Sequence, residues 1–137
     1  MRRILIIVGL LLAATLPTRA ADPSADQRVF ELRTYVANEG KLEALHRRFR
    51  EHTNDLFRKH GMTIIGFWVP QDEKDGKANT LVYLLAFPSR EAAKTSWAAF
   101  GADPEWQKAK AESEKNGVLV GKVTSVYLDP TDYSPLK

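Results

Sequence analysis

Two near-continuous apolar runs, Met62 to Val69 and Thr80 to Phe87, are separated by Pro70 and a polar stretch, Gln71 to Asn79. Asp75-Gly76 inside that stretch is a turn signal, so the pair is expected to form a hairpin of two strands. A strand with one solvated face alternates apolar and polar residues, whereas an unbroken apolar run means that both faces are covered. The hairpin must therefore lie at the centre of a sheet, with one layer packed on each side of it.

The flanking segments supply one of those layers. From Val29 to Val36 the chain alternates, with Phe30, Leu32 and Thr34 on one side and Val29, Glu31, Arg33 and Tyr35 on the other, the period of a strand. Asn38 offers an N-cap, and from Glu39 onward Leu42, Leu45, Phe49, Leu56 and Phe57 form one stripe of a long amphipathic helix ending at Gly61. Pro88-Ser89 opens a second helix through Phe100. A third follows Gly101, with Asp103 as N-cap, Pro104 at the first helical position and Asn116-Gly117 as the stop. Val120 to Leu128 is the last strand, ended by Asp129-Pro130 before a short tail, Thr131 to Lys137. The order is βαββαβ, an α+β fold with a ferredoxin-like sheet and helices on one face only. A second copy is then expected to cover the other face, giving a homodimer built as a dimeric α+β barrel.

Ahead of this domain, Arg2 and Arg3 precede an apolar run from Ile4 to Ala14 and a Thr18-Arg19-Ala20 segment, the order of a cleavable secretory signal. The run is shorter than the roughly 20 residues that span a bilayer, so no stable membrane anchor is expected after cleavage. Residues 1–20 are read as the signal, 21–27 as a flexible leader and 28–137 as the domain, exported to a periplasm or secreted. Removing Arg2, Arg3 and Arg19 from 20 basic residues leaves 17 against 17 acidic ones. The neutral mature chain gives no support for a nucleic-acid partner. The absence of cysteine excludes disulfides, zinc ribbons and thiol catalysis, and suits an oxidising compartment.

Five ordered motifs carry a resemblance: Phe30-Glu31-Leu32-Arg33-Thr34-Tyr35, Gly61, Gly66-Phe67-Trp68, Asp103-Pro104-Glu105-Trp106 and Tyr133-Ser134-Pro135-Leu136. In this order and spacing the chain resembles the NIPSNAP family from about Val29 to Leu136. The resemblance implies the dimeric α+β barrel shared with antibiotic-biosynthesis monooxygenases. It implies little about chemistry, because most members lack an assigned reaction and a shared fold does not transfer one. Eukaryotic relatives are linked to mitochondria and vesicle traffic, a setting from which a secretory signal departs.

Glu31, Arg33 and Tyr35, on the strand face opposite Phe30 and Leu32, are expected to turn towards the partner sheet. Polar groups on a covered face need partners there. Two readings are open: a ligand clamp in which Arg33 holds a carboxylate or phosphate and Tyr35 stacks or donates, or an ion pair of Arg33 with Glu31 or across the dimer. His46, His52 and His60 all fall on the first helix. His46 and His60 are separated by roughly 21 Å of helix rise and no pair has the one-turn spacing of a zinc helix, so no metal is expected. His46, at the edge of the apolar stripe, is a candidate acid or base facing a pocket between helix and sheet, or a satisfied residue at the core margin. His60 is explained by the helix C-terminal dipole. Trp68 and Tyr83 are candidate walls for a flat organic ligand, whereas Trp97 and Trp106 read as core filling. No phosphate loop, Ser/His/Asp set, haem motif or dinucleotide fingerprint is present, so no cofactor is expected.

The expected activity is binding of a small organic molecule in the barrel by Glu31, Arg33, Tyr35, His46, Trp68 and Tyr83, with a cofactor-independent oxygenase or isomerase as the chemistry this would serve. The alternative is a non-catalytic protein-interaction module. A cavity lined jointly by Arg33, Tyr35 and Trp68 favours the first, and a filled interface the second.

Overall fold

The computed structural model describes residues 28–137, so the expected signal and leader lie outside the described residues. Strand β1 (Val29–Ala37) leads into helix α1 (Leu42–Arg48), a π turn (Phe49–Thr53) and helix α2 (Asn54–Lys59), which run on as one continuous rod. Strands β2 (Thr63–Trp68) and β3 (Thr80–Phe87) form the expected hairpin, but only β3 is central, because β1 takes its other side and β2, partly exposed, is left at the sheet edge. Helices α3 (Arg90–Ala102) and α4 (Pro104–Ser113) and strand β4 (Val120–Leu128) follow. The sheet is antiparallel in the order β2-β3-β1-β4. The chain thus has the expected α+β, ferredoxin-like architecture.

Local signals act largely where the sequence places them. Ser89 caps α3 by accepting from the Ala92 amide at 3.0 Å, and Asp103 caps α4 by accepting from Glu105 at 2.8 Å with Pro104 at the first helical position. Gly61 ends α2 with φ +76°, a conformation open to glycine because it lacks a Cβ. Asn38 is not the cap of the first helix: Lys41 holds that position, and the Asn38 side chain donates to Val118 O at 2.8 Å, tying the end of β1 to the approach to β4.

The expected single α-helix is also interrupted. In the π turn the Thr53 hydroxyl donates to the Arg48 carbonyl at 3.2 Å, and the extra residue rotates everything downstream relative to α1. Leu45, Phe49, Leu56 and Phe57 all stay buried despite that shift, because Phe49 and Thr53 inside the turn face the core as well. No helix among the described residues is long and apolar enough to cross a membrane.

The core lies between the helices and one sheet face. Leu81, Tyr83, Leu85 and Phe87 of β3 point into it, with Phe49 packed edge-on and Phe57 tilted against the Tyr83 ring. Truncating a ring as buried as Phe57 to alanine costs about 3–5 kcal/mol through lost transfer energy and the cavity left behind. Among the described residues, no helix packs on the opposite face. There the tail returns over one end, with Leu136 beside Phe30, Leu84 and Leu128, which is why Phe30 is buried outside the main core.

This layering corrects one expectation. Glu31 pairs with Leu85 and Tyr127, Arg33 with Tyr83 and Ser125, and Tyr35 with Leu81, so the three share the face of the helix-side core and do not turn towards a partner sheet. The physical reason is that strand alternation makes the Glu31-Arg33-Tyr35 set continuous with the aromatic face of β3, the larger apolar surface for the helices to cover. Leu32, Val82, Leu84, Val126 and Leu128 therefore form the open face.

Candidate functional site

Glu31 is the hub of a polar cluster between β1, β4 and α3. It is only 1% exposed, and a carboxylate so buried must be paired and hydrogen-bonded. Its Oε1 accepts from Arg33 Nη1 at 2.7 Å and from the Ser125 hydroxyl at 2.6 Å, and its Oε2 accepts from Trp97 Nε1 at 2.6 Å. Three donors from three elements lock the carboxylate in place. The Arg33 guanidinium lies 4.2 Å from the Trp97 ring centroid and 5.5 Å from that of Tyr35, so two aromatic rings attract its charge.

The remaining donors are less well served. Arg33 Nη2 reaches the Tyr35 hydroxyl only at 3.4 Å, while Arg33 Nε and the Tyr83 hydroxyl are buried without a hydrogen-bond partner. Tyr35 and Arg33 both lie close enough to the Tyr83 hydroxyl to shift its titration, though no hydrogen bond of good geometry forms. An orphaned buried donor costs about 1–3 kcal/mol, so the two on facing residues carry a cost that an acceptor beside them would relieve.

Electrostatics keep these groups as donors. Burial opposes the charge on Arg33, but Tyr83, Tyr35 and Glu31 outweigh it and raise its pKa above the usual arginine value. Burial pushes the Tyr83 phenol well above the ordinary tyrosine value, with Tyr35 reinforcing the shift and Arg33 opposing it. Tyr127 is likewise raised, by burial and then by the nearby Glu31 charge, and the Arg90 guanidinium stacks 3.4 Å from its ring centroid. At neutral pH the cluster thus presents a fixed cation and neutral phenols around one saturated carboxylate.

The fold gathers Glu31, Arg33, Tyr35 and Tyr83 but leaves the other two candidates elsewhere. Trp68 lies on the opposite sheet face, 53% exposed, its ring across Gly66, where a Cβ would come within 2.7 Å of it. Its register partner is Val82, one residue from Tyr83, and alternation sends the two side chains to opposite faces. A cavity lined jointly by Arg33, Tyr35 and Trp68 within one chain is therefore ruled out. His46 sits half-buried in a shallow surface hollow with Gly40, Leu42, Glu43 and Ala78, apart from the cluster.

Trp97 and Ser125 were missing from the expected set. Trp97, read as core filling, is instead a donor to Glu31 and the platform under Arg33. Ser125 shows itself as a small hydroxyl between Val123 and Tyr127 on the same face of β4. His60 also does more than sit at a helix end. Its Nε2 and Lys59 Nζ hold Asp103 Oδ2 at 2.7 and 2.9 Å, joining the end of α2 to the start of α4. Lys59 also pairs with Glu105, and its hydrogen bond to Asp103, followed by those of His60 and the Glu105 amide, keeps the Asp103 carboxyl below the usual aspartate range. Among the described residues no group of three or more His, Asp or Glu side chains is placed to hold a metal.

Comparison with solved structures places this arrangement in a known fold. A NIPSNAP-family protein of unknown function from Agrobacterium tumefaciens superposes with a TM-score of 0.68 at 22% identity, covering 80% of this chain and 94% of its own. An uncharacterized NIPSNAP-like domain protein from Burkholderia xenovorans gives 0.66 at 21% identity, over 79% and 89% of the two chains. A putative antibiotic biosynthesis monooxygenase from Chloroflexus aurantiacus gives 0.50 at 19% identity, over 80% and 99%. At these identities the likeness is one of fold alone. No curated protein matched the sequence. The NIPSNAP family model matches residues 30–135, nearly the whole described domain. The chain belongs to the NIPSNAP family.

Proposed function

We propose that this NIPSNAP domain is an exported homodimer that binds a small organic molecule through an acceptor oxygen, a carboxylate, carbonyl or phenolate, between the sheet and its helices. The observation that carries the reading is the facing pair of buried, unpartnered donors, Arg33 Nε and the Tyr83 hydroxyl. Tyr35, Phe49, Phe57 and Phe67 pack directly against the Tyr83 ring. Glu31, already saturated by three donors, positions Arg33 and Trp97 and is not itself the ligand's partner. Export rests on the Arg2-Arg3, apolar and Thr18-Arg19-Ala20 segments. Dimerisation rests on the open face, whose Trp68, Val126 and Leu128 stay more than 40% exposed in a single copy.

Native mass spectrometry of the protein purified from its own source tests all three parts together. The expected spectrum is a dimer lacking residues 1–20 and carrying an added small mass, which a Tyr83→Phe variant loses while staying folded. A dimer of bare polypeptide mass from the native source selects the rival reading, a non-catalytic interaction module. Intact Met1 to Ala20 in the exported material overturns the export assignment.

A further inference from the structure

Away from the Arg33 cluster, α1 and α4 flank a groove of about 420 Å³ whose lining includes Lys41, Arg47, Arg48, Ser113 and Asn116. Arg48, the last residue of α1, has a side chain only 4% exposed, and an arginine is seldom so buried unless its charge is compensated. Here compensation is partial. Arg48 Nη1 serves both Glu114 at 3.2 Å and Ser113 at 3.3 Å, the guanidinium stands 5.1 Å from the Trp106 ring centroid, and the buried Nε has no partner. A guanidinium carries five N–H donors, so one carboxylate leaves capacity for a further acceptor.

Two more cations line the groove. Lys41 Nζ commits one donor to the Asn116 carbonyl at 2.7 Å, and exposed Arg47 forms no ion pair among the described residues. Two acids also line it: Glu112 is held by Lys115 at 2.5 Å, while Glu51 stands 3.9 Å from His52, which offsets its charge only when protonated. Glu114 is the one acid paired with any of the three cations among the described residues. The backbone is unusual at the same place, since the π turn starts at the residue after Arg48 and closes on the Arg48 carbonyl. Such turns are rare and frequent at functional sites.

We propose that this groove binds a small organic anion, its carboxylate or phosphate oxygens held by Lys41, Arg47 and Arg48, at a site separate from the Arg33 cluster. Arginine suits either group because its planar fork matches two oxygens at once.

The test is a titration of the dimeric protein, at constant ionic strength, with inorganic phosphate and separately with citrate, followed by amide chemical shifts. Lys41→Ala/Arg47→Ala is the variant of choice, because both side chains lie at the surface and the buried Arg48 is left in place; its thermal unfolding checks the fold. The expected result is saturable binding of at least one probe, with shifts at Arg47, Ser113 and Asn116, weakened about tenfold or more in the variant. Binding of phosphate alone assigns a phosphorylated ligand, and binding of citrate alone a carboxylate. Saturation by neither probe at millimolar concentration, or equal affinity in the folded variant, overturns the proposal. Loss of the Arg33-dependent ligand leaves this outcome untouched, so the two sites fail separately.

Discussion

Arg33 and Tyr83 face each other across β1 and β3, and each buries a polar atom that finds no hydrogen-bond partner. Folding tolerates such a pair only at a cost that the rest of the core must offset, which is the usual condition of a binding site.

Tyr83→Phe therefore removes an orphaned hydroxyl while keeping the ring. The expected outcome is stability equal to the parent or higher by about 1 kcal/mol in urea unfolding, with ligand retention lost. A destabilisation of similar size shows instead that the hydroxyl is satisfied in solution.

Glu31→Gln leaves Arg33 as a cation without its counter-ion. Breaking a buried pair from one side costs about 3–5 kcal/mol, and since the Arg33 side chain keeps 16% exposure the lower end is expected. In a double-mutant cycle with Arg33→Met the two changes are strongly non-additive. Additive losses in that cycle count against the ion pair as the organising contact.

The Asp103 junction sets an acid limit. Its carboxyl is held below the usual aspartate range by Lys59, His60 and the Glu105 amide, so the folded state binds a proton less readily than the unfolded one. The associated stability is complete above the unfolded value of about 4 and is lost as pH falls below it. Asp103→Asn keeps a good N-cap but removes this dependence, so the difference in urea midpoint between parent and variant shrinks on going from pH 6 to pH 3. A difference that stays constant across that range excludes Asp103 as the source.

Val126→Glu places a charge on the open sheet face at its β4 edge, beside Leu32 in register. Light scattering is expected to report a monomer, with far-UV circular dichroism close to the parent's. A dimer that survives the substitution shows that the copies meet through another surface.

Much of the fold was legible without coordinates. The two apolar runs specify a hairpin, though not that its first strand lies at the sheet edge, alternation specifies the first strand, and Ser89, Asp103 and Pro104 specify where helices begin, because each signal acts through neighbouring backbone groups. The same local character explains the failures. Alternation separates Glu31, Arg33 and Tyr35 from Phe30 and Leu32 but is silent on which set the helices cover, since the covering residues lie far along the chain. The π turn left the apolar stripe of the first helix legible, so periodicity passed over it. Site membership was decided furthest from the sequence: the donors that saturate Glu31 stand 66 and 94 residues away at Trp97 and Ser125, while Trp68, beside Phe67 in the chain, falls on the other side of the sheet. Periodicity marks faces within an element, and only the packing of elements decides which faces meet, because burial energy is set by the total apolar surface removed from water and by the partners that buried charges then find.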